Sequence, residues 1–248
     1  MIKAVIFDID NTLTDFMRMK RAAVEAAVEG MIDAGLKAAK DELIRKIFDI
    51  YWANGVEDQK IFDKVLLQEE GRIDYRVLAS GIVAYRRAKA GTMALYPHVG
   101  ATLSELMRLG VKMAVISDAP RLEVWLRIVD LGLHYYFDHV ITADDVGAKK
   151  PAPLGFQKAL EALGTGPRET LMVGDWAERD IAGAKALGIR TAWAKYGDTF
   201  ETKDSGAEFE LDDIADLIAI IKGDARQASP AKPRAPSSKA AARRAVQS

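Results

Sequence analysis

The chain has 248 residues, 49% apolar and 29% charged, with 35 basic against 36 acidic side chains and no cysteine. A soluble composition of this length buries roughly three quarters of its unfolded surface, enough for one large core or a core with a smaller satellite. Without Cys there is no disulfide framework, thiolate zinc site, iron–sulfur cluster or thiol nucleophile, so chemistry falls to oxygen and nitrogen groups.

The apolar opening, residues 1–7, is broken by Asp8 and Asp10, too early for a signal-peptide core, and no apolar run nears the ~18 residues that cross a bilayer. A cytoplasmic protein with no membrane partner is expected. The first strand is predicted over residues 3–7. From residue 15 to about 90 no strand pattern appears. Instead, about four amphipathic helices are predicted, with apolar residues such as Ala22, Ala23, Ala26, Ala27 and Met31, then Leu43, Ile47 and Ile50, recurring at helical spacing.

Beyond this insertion, short apolar runs alternate with helical patterns, the rhythm of a parallel sheet with crossover helices. Strands are predicted at 111–116, 139–142, 170–173 and 190–193, with an edge strand at 208–211. Helices are predicted at 121–131, 154–163 and 179–187, the last two stopping before Gly164 and Gly188. The expected fold class is α/β, a doubly wound, Rossmann-like parallel sheet formed by residues 1–14 and 95–222, with an α-helical domain over 15–94. Two chain crossings join the units, an arrangement that lets one rock over the other. Residues 223–248 are read as a disordered basic tail, since 224–248 carry six basic side chains against Asp224 alone, with three prolines and no apolar period. Its basic residues suit a solvated extension better than a nucleic-acid contact.

In open α/β sheets, ligands bind beyond the carboxyl ends of the strands. Four polar clusters fall there: Asp8-Ile-Asp10-Asn11-Thr12, Ser117-Asp118, Lys149-Lys150-Pro151, and Gly174-Asp175 followed by Asp180. An Asp-x-Asp pair alone is weak, because about one is expected by chance at this length and composition. Placement after successive strands is the stronger signal. Carboxylates converging there would raise one another's pKa unless a cation lay between them, and a set with oxygen ligands and no His suits Mg²⁺.

These clusters, in this order and spacing over residues 1 to about 221, resemble the haloacid-dehalogenase-like superfamily, in its phosphatase branch with a helical cap inserted after the first motif. The resemblance implies that Asp8 is the nucleophile, forming an aspartyl-phosphate, and that Asp10 is the general acid and base. It implies phosphate contacts from Thr12, Ser117 and Lys150, with Thr12 helping to position the loop. Mg²⁺ would be held by Asp8, the backbone carbonyl of Asp10, Asp175 and Asp180, the last through a metal-bound water or by holding Lys150. An acid at position 10 suits an alcohol leaving group and argues against dehalogenation. Asp118 stands where the family more often has Asn, so its side chain is expected to point away from the phosphate.

Other polar and aromatic residues carry less. His98, His134 and His139 are isolated, Trp125, Trp176 and Trp193 read as packing, and Arg18, Lys20, Arg21, Tyr51, Trp52 and Asn54 of the insertion read singly as ordinary helix surface or core. The expected function is Mg²⁺-dependent hydrolysis of a small phosphorylated metabolite such as a sugar or triose phosphate. The cap segments around Ile82 to Tyr85 and Leu95 to His98 are similar to those of bacterial and archaeal phosphatases of the glyceraldehyde-3-phosphate type. The alternatives are a phosphomutase of the same fold and a metal-binding module whose tail holds a polyanion.

Overall fold

The computed structural model describes residues 1–55, 57–58 and 60–228, so residues 229–248 of the anticipated tail lie outside the described residues. The strands are β1 (Ala4–Phe7), β2 (Lys112–Ser117), β3 (His139–Thr142), β4 (Thr170–Gly174), β5 (Arg190–Ala194) and β6 (Phe209–Leu211). Between β1 and β2 lie α1 (Phe16–Asp33), α2 (Lys40–Asn54), α3 (Ile61–Glu70), α4 (Tyr75–Thr92) and α5 (Val99–Arg108). The later helices are α6 (Arg121–Asp130), α7 (Ala143–Val146), α8 (Pro153–Leu163), α9 (Ala182–Ala186) and α10 (Asp216–Ala228). No helix among the described residues is long and apolar enough to cross a membrane.

The six strands form one parallel sheet in the order β3-β2-β1-β4-β5-β6, the doubly wound α/β fold expected from the sequence. Side chains alternate across β1, as strand geometry requires. Val5 and Phe7 pack with Leu103, Val124, Ile128 and Leu217 from α5, α6 and α10. Ala4 and Ile6 face Phe156, Ala159 and Ala184 from α8 and α9 on the other side. Both faces are covered, which explains why the strands read as continuous apolar runs. The chain winds outward from β1 through β2 to β3, then returns to β4 on the other side, so the switch point lies between β1 and β4.

Helices α1 to α4 bury a core of their own, built from Val24, Val28, Met31, Leu43, Ile47, Val65 and Leu78 among others. Asp15 caps α1 by accepting from the Arg18 N–H at 3.3 Å, and Asp74 caps α4 through the Arg76 and Val77 N–H groups at 2.9 and 3.4 Å. The two connections to the sheet run side by side. The Tyr96 N–H donates to the Leu13 carbonyl at 3.0 Å and the Asp15 N–H to the Ala94 carbonyl at 3.3 Å.

The C-terminal end departs from expectation, because α10 continues through residues 223–228, into the segment read as tail. The reason is Asp224, which accepts from the Ile2 N–H at 2.6 Å and from Arg190 Nη1 at 2.5 Å and so fixes the helix to the start of the sheet.

Helices α1 and α4 approach closely at Gly30. A Cβ on Gly30 would lie 3.0 Å from both Ala84 Cβ and the Ser80 carbonyl oxygen. Gly30→Leu is expected to destabilise the protein by about 1–3 kcal/mol through overpacking, outweighing the ~1 kcal/mol gained by removing a helical glycine. A lowered denaturation midpoint in urea checks this.

Candidate active site

The loop after β1 is wound tightly around one carbonyl. The N–H groups of Thr12, Leu13 and Thr14 all donate to the Ile9 oxygen, at 3.2, 2.8 and 3.1 Å. Asn11 takes a left-handed conformation with φ 57°, which Asn tolerates better than most residues, and its Oδ1 accepts from the Met17 N–H at 3.0 Å, tying the loop to the first turn of α1. Asp8 follows β1 directly and is buried; Asp10 stands one pleat further on.

Strand β4 delivers the second group. Asp175 follows it, and a single π-helical turn over Ala177–Ile181 turns the chain so that Asp180 comes back beneath the strand end. Asp180 Oδ2 accepts from the Trp176 N–H at 3.1 Å, and its carboxyl fills the space where a Cβ on Gly174 would stand. Trp193 on β5 donates its indole N–H to the Asp175 carbonyl at 2.7 Å. This gives one of the tryptophans read as packing a share in placing a site residue.

Lys150 enters from the loop before α8, across a cis bond to Pro151. Its Nζ lies 2.5 Å from Asp8 Oδ1 and 2.6 Å from Asp180 Oδ1, and 3.3 Å from the Ile116 carbonyl. Asp180, expected to bind metal-bound water or to hold Lys150, makes the bond to Lys150. Asp118 accepts from the Lys150 backbone N–H at 2.8 Å and from Arg179 Nη1 at 3.2 Å. It thus fastens the lysine loop to the turn after β4. Ser117 is buried at the cavity wall with Oγ accepting from the Ala119 N–H at 3.2 Å.

Thr12 is expected to touch phosphate and to help position the loop. It is fully buried and absent from the cavity wall. Its hydroxyl donates to Asp175 Oδ1 at 3.3 Å and its carbonyl accepts from Tyr196 Oη at 2.7 Å. The left-handed turn at Asn11 sets Thr12 inward, where these two bonds brace the loop.

The carboxylates of Asp8, Asp175 and Asp180 bring ligand oxygens within 4.8 Å of one another, all buried. Burial, with repulsion from Asp180 and Asp10, pushes Asp8 up to about 8 against the pull of Lys150. Burial and repulsion from Asp8 and Asp180 push Asp175 well above the ordinary carboxylate range. Burial alone would lower Lys150, but Asp180 and Asp8 outweigh it and hold the ammonium up. Three buried carboxylates against one ammonium therefore leave negative charge that a divalent cation would neutralise, and an all-oxygen donor set fits Mg²⁺. The Asp10 carboxyl is not part of this group and turns instead towards α6.

There it meets Arg127, which the sequence reading did not single out. Arg127 is 2% exposed, with Nε 3.3 Å from Asp10 Oδ1, Nη2 bonded to Glu57 Oε1, and its guanidinium 4.7 Å from the Phe16 ring centre. Burial raises the Asp10 carboxyl while Arg127 pulls it down. Lys20 is also buried; it bonds to Tyr85 Oη at 3.0 Å and lies 4.4 Å from the centre of the Tyr51 ring, and burial lowers it to about 8. Both basic residues occupy buried helical stripes, Arg127 between Val124 and Ile128, and that pattern is the sequence signal for them.

These groups border a cavity of about 710 Å³ between the sheet end and the four helices. Tyr51, Trp52, Phe16 and Met17 line it from the helical side, and Trp176 and Phe200, with ring centres 4.3 Å apart, from the other. Arg18 and Arg21 point to solvent, the Asn54 side chain lies outside the described part of the structure, and His98, His134 and His139 are absent from the cavity wall.

A family model for haloacid dehalogenase-like hydrolases matches residues 2–188. Over 225 residues the chain is 33% identical to the glyceraldehyde 3-phosphate phosphatase of Methanocaldococcus jannaschii, covering 90% of this chain and 98% of that protein. It is 34% identical over 229 residues to the protein of the same name from Methanothermobacter thermautotrophicus, covering 89% and 100%. Among solved structures, the HAD phosphatase of Thermococcus onnurineus superposes with a TM-score of 0.68 at 26% identity, covering 90% of this chain and 99% of that one. The chain belongs to the haloacid dehalogenase-like hydrolase family. Within that family it falls in the phosphatase branch, the hydrolases of phosphoric monoesters.

The overlap between a Cβ at residue 174 and the Asp180 carboxyl makes a direct test. Gly174→Ala is expected to displace Asp180 from Lys150, lowering stability by about 1–3 kcal/mol and phosphatase activity with it. A thermal melt alongside phosphate release measures both.

Proposed function

We propose that the chain is a Mg²⁺-dependent phosphatase of short phosphorylated metabolites, glyceraldehyde 3-phosphate among them, acting through an aspartyl-phosphate. The observation that carries this reading is the meeting of Asp8, Asp175, Asp180 and Lys150 within hydrogen-bonding and ligand distance at the switch point of the sheet. The substrate class is supported by the relatives named above, which match along nine-tenths of the chain. Residues 15–94 would form the cap over a catalytic unit of 1–14 and 95–222, and substrate choice would rest with the cap side of the cavity.

In this reading a carboxylate oxygen of Asp8 attacks phosphorus while the ester oxygen departs, taking a proton from Asp10. Water then attacks the phosphoryl group, giving its proton to Asp10; the P–O bond to Asp8 breaks, and phosphate leaves with the carboxylate restored. Lys150 and Ser117 hold the phosphoryl oxygens, and Asp118 keeps Lys150 in place. Asp8, the Asp10 carbonyl and Asp175 are the proposed holders of Mg²⁺, with Asp180 alongside. When bound, the ion would screen the phosphate charge from the attacking carboxylate.

The test is phosphate release from a panel of phosphorylated metabolites with Mg²⁺ and with a chelator present. Release is expected from triose phosphates, with the chelator abolishing it. Asp8→Asn is expected to reduce it by about 10³-fold or more, and Asp175→Asn to raise the Mg²⁺ concentration needed by roughly 10-fold or more. Full activity in Asp8→Asn would end the covalent reading, and undiminished turnover in the chelator would end the metal reading.

A further inference from the structure

Arg127 has more donors than the structure satisfies. It comes from α6, on the sheet side, and reaches Glu57 in the connection between α2 and α3. That bond to Glu57 is directed, whereas the approach to Asp10 is an ion pair at 3.3 Å without hydrogen-bond geometry. Among the described residues, Arg127 Nε, Arg127 Nη1 and Asp10 Oδ1 are buried with no hydrogen-bond partner. A buried guanidinium with unmet donors draws in any acceptor within reach; Asp10 and Glu57 are the carboxylates paired with it, while Glu123, on the same helix, adds charge nearby and is itself paired with Lys89.

We propose that Arg127 is a positioning residue for Asp10, and that Glu57 competes with Asp10 for it. With Glu57 holding Nη2, the guanidinium is steered so that it lies beside the buried Oδ1 of Asp10 without binding the carboxyl head-on, leaving the part-exposed carboxyl set at the cavity wall. With Glu57 withdrawn, Arg127 turns onto Asp10 and locks its carboxyl in a direct ion pair. Glu57 belongs to the helical unit and Arg127 to the sheet, so the acid/base group is set in place only while the two units are docked. Phe16, stacked on the guanidinium from the first turn of α1, limits it to swinging in one plane. The inference rests on Asp10 being the acid and base of the proposed reaction.

Single-turnover release of the leaving group tests it, using glyceraldehyde 3-phosphate, whose alkoxide needs a proton, and p-nitrophenyl phosphate, whose phenolate leaves without one. Arg127→Met and Glu57→Gln are each expected to slow release from the alkyl ester about 10- to 100-fold while release of nitrophenolate changes no more than about threefold. Adding Arg127→Met to Asp10→Asn should cost nothing further on the alkyl ester. Equal losses on both substrates would overturn the proposal, as would a change confined to KM or none at all. Asp10→Asn alone separates the two claims: if it shows no difference between the esters, the role of Asp10 itself fails. If it shows the difference and the folded Arg127 and Glu57 variants do not, the positioning role fails. Should Arg127→Met not fold, Glu57→Gln, on a part-exposed connection, decides alone.

Discussion

Lys150 places its Nζ within 2.6 Å of both Asp8 and Asp180, and that contact decides how much negative charge the ends of β1 and β4 can bury together. Removing one member of such a buried set leaves the others uncompensated, at a cost of several kcal/mol. The structure is built around keeping the lysine where it is. Asp118 clamps its backbone, Arg179 ties Asp118 to the turn after β4, and Arg179 is itself stacked 3.7 Å from the Trp176 ring centre. Three separate segments are therefore joined through one ammonium.

Close backbone approach is the second condition for that arrangement. Gly174 leaves room for the Asp180 carboxyl, and Gly197 lets the chain after β5 press against the Asn11 carbonyl. Tyr196 and Trp193, from the same strand end, hold the Thr12 and Asp175 carbonyls. Strand β5 contributes no group to the proposed chemistry, yet it fixes the two loops that do.

Much of this was legible in the sequence. Strands buried on both faces are continuous apolar runs, and acidic residues directly after them announce a site at the sheet edge, as with Asp8 and Asp175. What escaped depends on the direction of side chains in three dimensions. Thr12 reads as a phosphate contact that also positions the loop, and spacing alone does not give its bond to Asp175, which follows from the turn at Asn11. Lys20 reads as ordinary helix surface or core and Arg127 draws no notice, although each stands in a stripe of buried neighbours; an isolated charge in such a stripe signals a buried partner, but the partner cannot be named from spacing. Glu57, some seventy residues from Arg127 in sequence, could be paired with it only by the packing of the helices onto the sheet. Asp224 was counted with the tail because composition changes there, whereas its contacts to Ile2 and Arg190 keep it in the fold.

The bond between Asp224 and Ile2 also brings the first and last described parts of the chain to one place. It lies at the starting end of β1, while the carboxylates stand at its finishing end, about 13 Å further along at the ordinary rise of a strand. The Asp224 end of α10 thus stands at the floor of the molecule. A short link from residue 1 to the end of α10 would therefore close the chain on the side away from the cavity, with none of the four polar clusters cut.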